Sequence, residues 1–450
     1  MTVKNIQVEG GAGGVEAKYE DLAAMGDLTT DVAGDTLKTA AAGHKFLVEP
    51  DVLASSLLNP GGVVKFEAAM AVALDGPNGL TATSAAIGLR SEAFKASRIA
   101  YEVADDLAAK GLDAARWFGG LAVATNPPGA ALVGGGGIAA DVYLNYDGDW
   151  EKWLVNHPGM VDNLVGMTPG MLSALGIPMD LATSLDLLAA SYPDSDAEVT
   201  DSRTSNPDEP KNLGDLLDGL ARRNDSKQHE NDQSPDPANL DVQIIRDANG
   251  KVTGYVVDIP GTKAWNAPFT TDGSNDTGTN IDAMAGNNTV LQKGIEEALS
   301  RAGAHGTGVP VMLVGHSQGG IVAAQATGDL VANGYNVTHV LTAGSPVGRI
   351  DVPDNVQVLS LENRNDIVPR LDASENPDSP NRTTVQFDNQ QNTVTGNHRI
   401  EDNYAAVARE LDQGGNPSVQ RYKDGLGAFT GGTSSEMHTY RIDREGEKKK

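Results

Sequence analysis

The sequence predicts an α/β fold, with a mainly parallel, doubly wound sheet in the second half of the chain and a mostly α-helical region before it. Three changes of texture along the chain support this. From about residue 240, apolar runs of strand length such as Val242-Gln243-Ile244-Ile245, Tyr255-Val256-Val257 and Val309 to Val314 alternate with segments of helical length and spacing. Alternation of that kind is how a chain builds parallel strands joined by helical crossovers. Before residue 112 the chain is rich in Ala, Leu, Asp and Lys at helical spacing instead. Between Ser191 and Pro237 it is almost purely polar, except around Leu213 to Leu220.

These shifts divide the chain into a helical region over residues 1–190, a polar acidic linker over 191–238 and an α/β domain over 239–450. A chain of 450 residues exceeds what one hydrophobic core usually serves. In the first region Phe94, Ile99, Val103 and Leu107 fall on one helical stripe, reading as a bundle or hairpin. A glycine-rich stretch over 119–144 follows, then short apolar helices broken at His157-Pro158-Gly159 and Thr168-Pro169-Gly170. In the last region helices are expected at 288–302, 318–333 and 403–411. Strands are expected at 309–314, 337–342, 356–361 and 384–387, with a further strand at 437–442.

Charge and composition narrow the function. With 34 basic against 61 acidic residues, a net charge of −27 argues against a nucleic-acid partner, which needs a basic face. The absence of cysteine removes disulfides, thiolate metal sites and a Cys nucleophile. The opening Met1-Thr2-Val3-Lys4-Asn5-Ile6 lacks the basic flank and apolar core of a signal peptide. Gly119 to Leu144 is too interrupted, by Asn126-Pro127-Pro128 and four consecutive glycines, to span a bilayer.

In a chain with 52 glycines, a bare Gly-x-Ser-x-Gly means little. Its setting decides. The strand Val311-Met312-Leu313-Val314 runs into Gly315-His316-Ser317-Gln318-Gly319, and Ile321-Val322-Ala323-Ala324 starts a helix directly after it. That strand-turn-helix lifts a strained serine above a sheet, as in the α/β-hydrolase fold, and the new helix aims its N–H groups at the site. Ser317 is thus the expected nucleophile, and the Gln318 N–H an oxyanion donor.

A serine hydroxyl needs a histidine to take its proton and a carboxylate to orient that histidine. In this fold both follow the serine. Asp366 lies just past the strand 356–361, and Glu362 competes with it on position alone. His398 and His438 are the histidines downstream of Asp366. His398 is expected to be the base, because its loop falls between a strand and a helix where the topology places that group. His316 reads as a packing residue pointing away from the hydroxyl. The second oxyanion donor is expected from the turn Pro260-Gly261-Thr262, at Thr262.

These pieces, in this order, resemble the class 3, fungal-type lipases. Pro260-Gly261-Thr262 looks like that family's oxyanion element, Gly315 to Gly320 like its nucleophile elbow, and Ala343-Gly344-Ser345-Pro346-Val347-Gly348 like its Gly-x-Pro-x-x-Gly stretch. Asn365-Asp366-Ile367-Val368-Pro369-Arg370-Leu371 looks like the segment carrying its catalytic aspartate, which favours Asp366 over Glu362. The resemblance spans about residues 252–398 and implies a carboxylic-ester hydrolase, whether lipase, phospholipase or esterase, with an ester or lipid substrate and peripheral membrane contact. Gln318 stands where those lipases usually have Leu, and no lid helix is identifiable. The loop Trp265 to Gly286 reads as an acyl-site wall, a lid or a solvated loop. Its carboxylates fit no defined calcium spacing, so neither a metal nor a cofactor is expected.

In the front region Trp117-Phe118-Gly119 is similar to the Trp-x-Gly turn of helical hairpins exported by the type VII system of actinobacteria. Tyr101-Glu102-Val103-Ala104-Asp105 resembles that system's export signal, although here it precedes the turn instead of following it. The resemblance implies contact with secretion machinery and export without an ordinary signal peptide; an ordinary amphipathic bundle in a cytoplasmic protein is the alternative. The competing function is a secreted, partner-binding or membrane-interacting helical protein that uses the hydrolase fold as scaffold.

Overall fold

The computed structural model describes residues 4–11, 19–55, 57–76, 78–92, 95, 136–161, 165, 185–186, 189–190, 192, 195–224, 239–263 and 273–445. They fall into two compact units, one drawn from Val15–Ala114 and the other from Met1–Gly14 with Ala115–Lys450.

The larger unit is built on one nine-stranded sheet. Its strands are β1 (Lys4–Gly10), β2 (Ala197–Ser205), β3 (Leu240–Arg246), β4 (Val252–Ile259), β5 (Pro310–His316), β6 (Asn336–Ala343), β7 (Gln357–Asn363), β8 (Arg382–Asp388) and β9 (Ser434–Arg444), in the spatial order β1-β8-β7-β6-β5-β4-β3-β9-β2. Strands β4 to β8 pair in parallel. The remaining pairs, β1 with β8, β3 with β4, β3 with β9 and β2 with β9, are antiparallel. The sheet is therefore mixed, with a parallel centre.

The centre is apolar on both faces because helices cover both. Val311 and Leu313 feed one core, beneath the helices Val290–Arg301 and Gln318–Ala332. Met312 and Val314 feed the other, beneath the helices Leu213–Asn224 and Ala405–Gln413. This puts the C-terminal ends of β4, β5 and β7 along one edge, where the loops that carry chemistry begin.

The structure departs from the expected boundaries in two places. Lys4–Gly10, assigned from sequence to the helical region, is an edge strand of the nine-stranded sheet, and Asn5 Nδ2 donates to Asp388 at 2.7 Å. Residues 195–224, assigned to an exposed linker, supply β2 and a buried helix. β2 looked like linker because an edge strand with one solvated face can be polar throughout. The helix Leu213–Asn224 buries Leu213, Leu216, Leu217 and Leu220, one apolar stripe at helical spacing. The Asp412 carboxylate accepts the free N–H groups of Leu213 and Gly214 at its start, at 3.1 and 3.0 Å.

The smaller unit is helical, over Tyr19–Phe46, Pro50–Ser55, Pro60–Asp75 and residues 80–92. Small residues let its helices approach: a Cβ on Gly43 would lie 2.5 Å from the Leu74 side chain. Ser84 and Ser91 donate to the carbonyls of Ala33 and Gly26, both at 2.8 Å. Leu57 and Leu58 stand 89% and 91% exposed. In the larger unit, the last part of the glycine-rich stretch forms the helix Gly136–Asn145. No helix among the described residues is long and apolar enough to cross a membrane. The stripe at Phe94, Ile99, Val103 and Leu107, the motifs at Tyr101 to Asp105 and Trp117 to Gly119, and Trp265, Phe269 and Asp272 lie outside the described residues.

Leu217 is fully buried in this arrangement, so Leu217→Ala is expected to cost about 2–5 kcal/mol in denaturant unfolding. A substitution in an exposed linker would stay within about 0.5 kcal/mol.

Candidate active site

Ser317 follows β5 directly and begins the helix Gln318–Ala332, with φ 54° and ψ −124°. A side chain at this φ costs about 1–3 kcal/mol and persists only where its surroundings leave no alternative. Here the surroundings are two backbone carbonyls and one serine side chain. A Cβ on Gly319 would lie 2.0 Å from the Ile259 carbonyl oxygen, one on Gly315 2.2 Å from that of Gly319, and one on Gly320 2.0 Å from Ser345 Oγ. The three glycines therefore let β4, the elbow and the loop after β6 meet.

Asp366 follows β7 and is 1% exposed. Its Oδ2 accepts from His398 Nδ1 at 2.6 Å and from the Tyr404 hydroxyl at 2.5 Å, while Oδ1 accepts from the Val368 N–H at 3.0 Å. Three donors thus satisfy this buried carboxylate. Burial first, and then Asp366, push the Tyr404 hydroxyl well above its usual range, so it stays a donor. Gly344, at φ 62°, makes room for this cluster, since a Cβ there would lie 2.8 Å from Tyr404 Oη and 3.1 Å from Asp366 Oδ2. Glu362 is elsewhere, accepting from Asn376 Nδ2 at 2.5 Å. Thus Asp366, and not Glu362, meets His398. His438 lies on β9 beside Glu436, at 3.1 Å.

His398 caps the short helix Val394–Asn397 and its side chain is 19% exposed. No hydrogen bond joins it to the Ser317 hydroxyl among the described residues. The link between the two loops is His316, whose Nε2 donates to the His398 carbonyl at 2.8 Å and whose ring lies 4.4 Å from the His398 ring. Burial, and then His398, hold His316 well below the usual histidine range, so it sits neutral beside the other imidazole. It is thus more than the packing residue expected from sequence: it ties the elbow to the histidine loop.

The turn after β4 is pinned by three asparagines. Gly261 N–H donates to Asn224 Oδ1 at 3.1 Å, Asn275 Nδ2 to the Pro260 carbonyl at 3.4 Å, and Asn280 Nδ2 to Thr262 Oγ1 at 2.9 Å. A Cβ on Gly261 would lie 3.1 Å from Ser317 Cβ, so this turn passes directly over Ser317. Gln318 donates through Nε2 to the Asp276 carbonyl at 2.7 Å, which anchors the start of the helix Thr277–Met284. Asp276, one of the carboxylates weighed for calcium, caps that helix and faces Arg444 at 3.4 Å. Among the described residues no cluster of His, Asp or Glu is arranged to hold a metal ion.

Sequence reasoning missed Tyr404, Asn224 and Asn280. Tyr404 sits in the π-helical turn Ile400–Tyr404, one residue into an expected helix and without any motif. Asn224 ends the helix that read as linker, and only the apolar stripe at Leu213 to Leu220 signalled it.

Residues 241–375 match the family model for lipase (class 3). That part of the chain is a class 3 lipase-like α/β-hydrolase, and its activity is that of a carboxylic-ester hydrolase. The match contains Thr262, Ser317, Gln318 and Asp366 and stops short of His398. No curated protein and no solved structure matches the chain.

Two tests follow from this geometry. Gly344→Ala is expected to lose about 1–3 kcal/mol of stability, because it adds a Cβ at positive φ against Tyr404; an unchanged unfolding midpoint would contradict the packing. Burial, and then Asp372, raise the Glu362 carboxyl from its ordinary 4.5 to about 7. Between those values the folded chain keeps a proton that the unfolded chain releases, so stability falls as pH rises through this window. Glu362→Gln should flatten that fall between pH 4.5 and 8 in denaturant titrations. Parallel pH profiles for the two proteins would exclude this carboxyl as a cause.

Proposed function

We propose that this domain cleaves carboxylic esters by acyl transfer through Ser317, with His398 as base and Asp366 as its orienting carboxylate. The observation that carries this reading is the Asp366–His398 hydrogen bond of 2.6 Å, formed beside a serine held on a strained elbow.

Each group then has one task. Ser317 Oγ attacks the ester carbonyl carbon as His398 Nε2 takes its proton. Asp366 accepts from Nδ1–H, fixes the tautomer and stabilises the imidazolium. The tetrahedral oxyanion is held by the backbone N–H groups of Gln318 and Thr262. Asn280 both donates to Thr262 Oγ1 and accepts from it, at 2.9 and 3.3 Å, which orients the threonine beside the oxyanion position. His398 returns the proton to the leaving alcohol, leaving an acyl-serine. Water, activated by the same histidine, attacks the acyl carbon and releases the acid. His316 stays neutral, so it adds no positive charge next to the developing imidazolium.

The two acidic residues after β7 separate this mechanism from a coincidence of buried groups. On p-nitrophenyl esters, Asp366→Asn is expected to lower kcat by roughly 10⁴-fold, whereas Glu362→Gln should stay within a few fold. Equal losses, or a loss confined to Glu362→Gln, would overturn the assignment. Running short-chain and long-chain esters together separates an esterase from a lipase.

A further inference from the structure

We propose that the cavity between the helix Leu213–Asn224 and strands β3 and β4 binds a small organic cation carrying an ammonium or guanidinium group. This site goes beyond ester hydrolysis and does not depend on it.

The cavity has a volume of about 390 Å³, within the range of small-molecule sites. Its floor is formed by Gln243, Val256 and Asp258, and its wall by Leu216, Gly219 and Arg222 of the helix. Asp258 is 2% exposed, and its Oδ1 has no hydrogen-bond partner. Buried carboxylate oxygens without a donor are rare enough to need a cause. Neighbouring groups do not supply one: Arg223 is engaged with Asp241, at 3.3 Å, and Gln243 Nε2 donates to the Asp208 carbonyl and Ser435 Oγ. Burial, and then Asp241, raise the Asp258 carboxyl well above the usual range, with Arg222 and Arg223 opposing. A cation brought to the carboxyl would oppose both causes and favour its ionised form.

The rest of the cavity favours the same sign of charge. Five carboxylates line it, against Lys211, Arg222 and the Arg409 guanidinium that pairs with Asp218. Lys211 is already held by Glu209 and by the Gly432 carbonyl, at 2.9 Å from the latter. Gly219 occupies the middle of a helix, where glycine costs roughly 1 kcal/mol against alanine. A Cβ there would lie 3.3 Å from Asp258 Oδ2, so the glycine keeps the approach to the carboxylate clear. An anion would meet net negative charge, and a purely apolar ligand would leave Oδ1 without a donor.

The test uses the full chain with Ser317→Ala and agmatine, which carries both an ammonium and a guanidinium, in isothermal titration calorimetry at 150 mM salt. Saturable binding at one site is expected, weakened at least tenfold by Asp258→Asn and unchanged by Asp351→Asn, which removes a carboxylate outside the cavity. Gly219→Leu, which fills the cavity without removing the carboxylate, should also abolish binding and serves if Asp258→Asn fails to fold. Heat that never saturates, or an affinity equal in all the folded variants, would mean diffuse attraction to an acidic protein and would overturn the site.

Discussion

The backbone at Ser317 is the constraint on which the site depends. A residue with a side chain is held at φ 54°, a conformation it resists, by three close approaches, two to backbone carbonyls and one to the Ser345 side chain, that glycine allows at positions 315, 319 and 320. The sheet enforces the conformation from below, because β5 is hydrogen-bonded on both sides, to β4 and β6, up to the elbow itself. Above it, the turn at Gly261 comes over the serine from β4, and Ser345 closes against Gly320 from the end of β6. The strain is thus distributed over three parallel strands that are buried on both faces.

The other groups are held by polar pins instead of by packing. Asp366 takes three donors from three segments, among them the hydroxyl of Tyr404 and the ring of His398. His316 reaches from the elbow to the histidine loop, and the asparagines at 224, 275 and 280 hold the turn that would carry the second oxyanion donor. Buried hydrogen-bond networks of this kind fix geometry as well as adding stability. They also bring the polar stretch before the domain into the site, since Asn224 belongs to the helix that forms one wall of the acidic cavity.

The parallel centre of the sheet was legible because buried strands must be apolar on both faces, and β4, β5, β6 and β7 each show such a run. The elbow was legible because glycine is required at fixed positions around the serine. What escaped were β1 and β2, edge strands whose solvated residues resemble loop, and whose partners lie far away in sequence, at β8 and β9. Tyr404 and the asparagine pins escaped for a related reason: a hydrogen bond between distant segments leaves no periodicity or spacing. His316 read only as a packing residue of the elbow, because its partner, the His398 carbonyl, is 82 residues away.

Trapping the covalent intermediate tests the central claim most directly. After reaction of the full chain with a fluorophosphonate, peptide mass spectrometry is predicted to find one phosphonyl group per chain, on the peptide containing Ser317 and nowhere else. Labelling of a different serine, or labelling that persists in Ser317→Ala, would contradict the role assigned to the elbow.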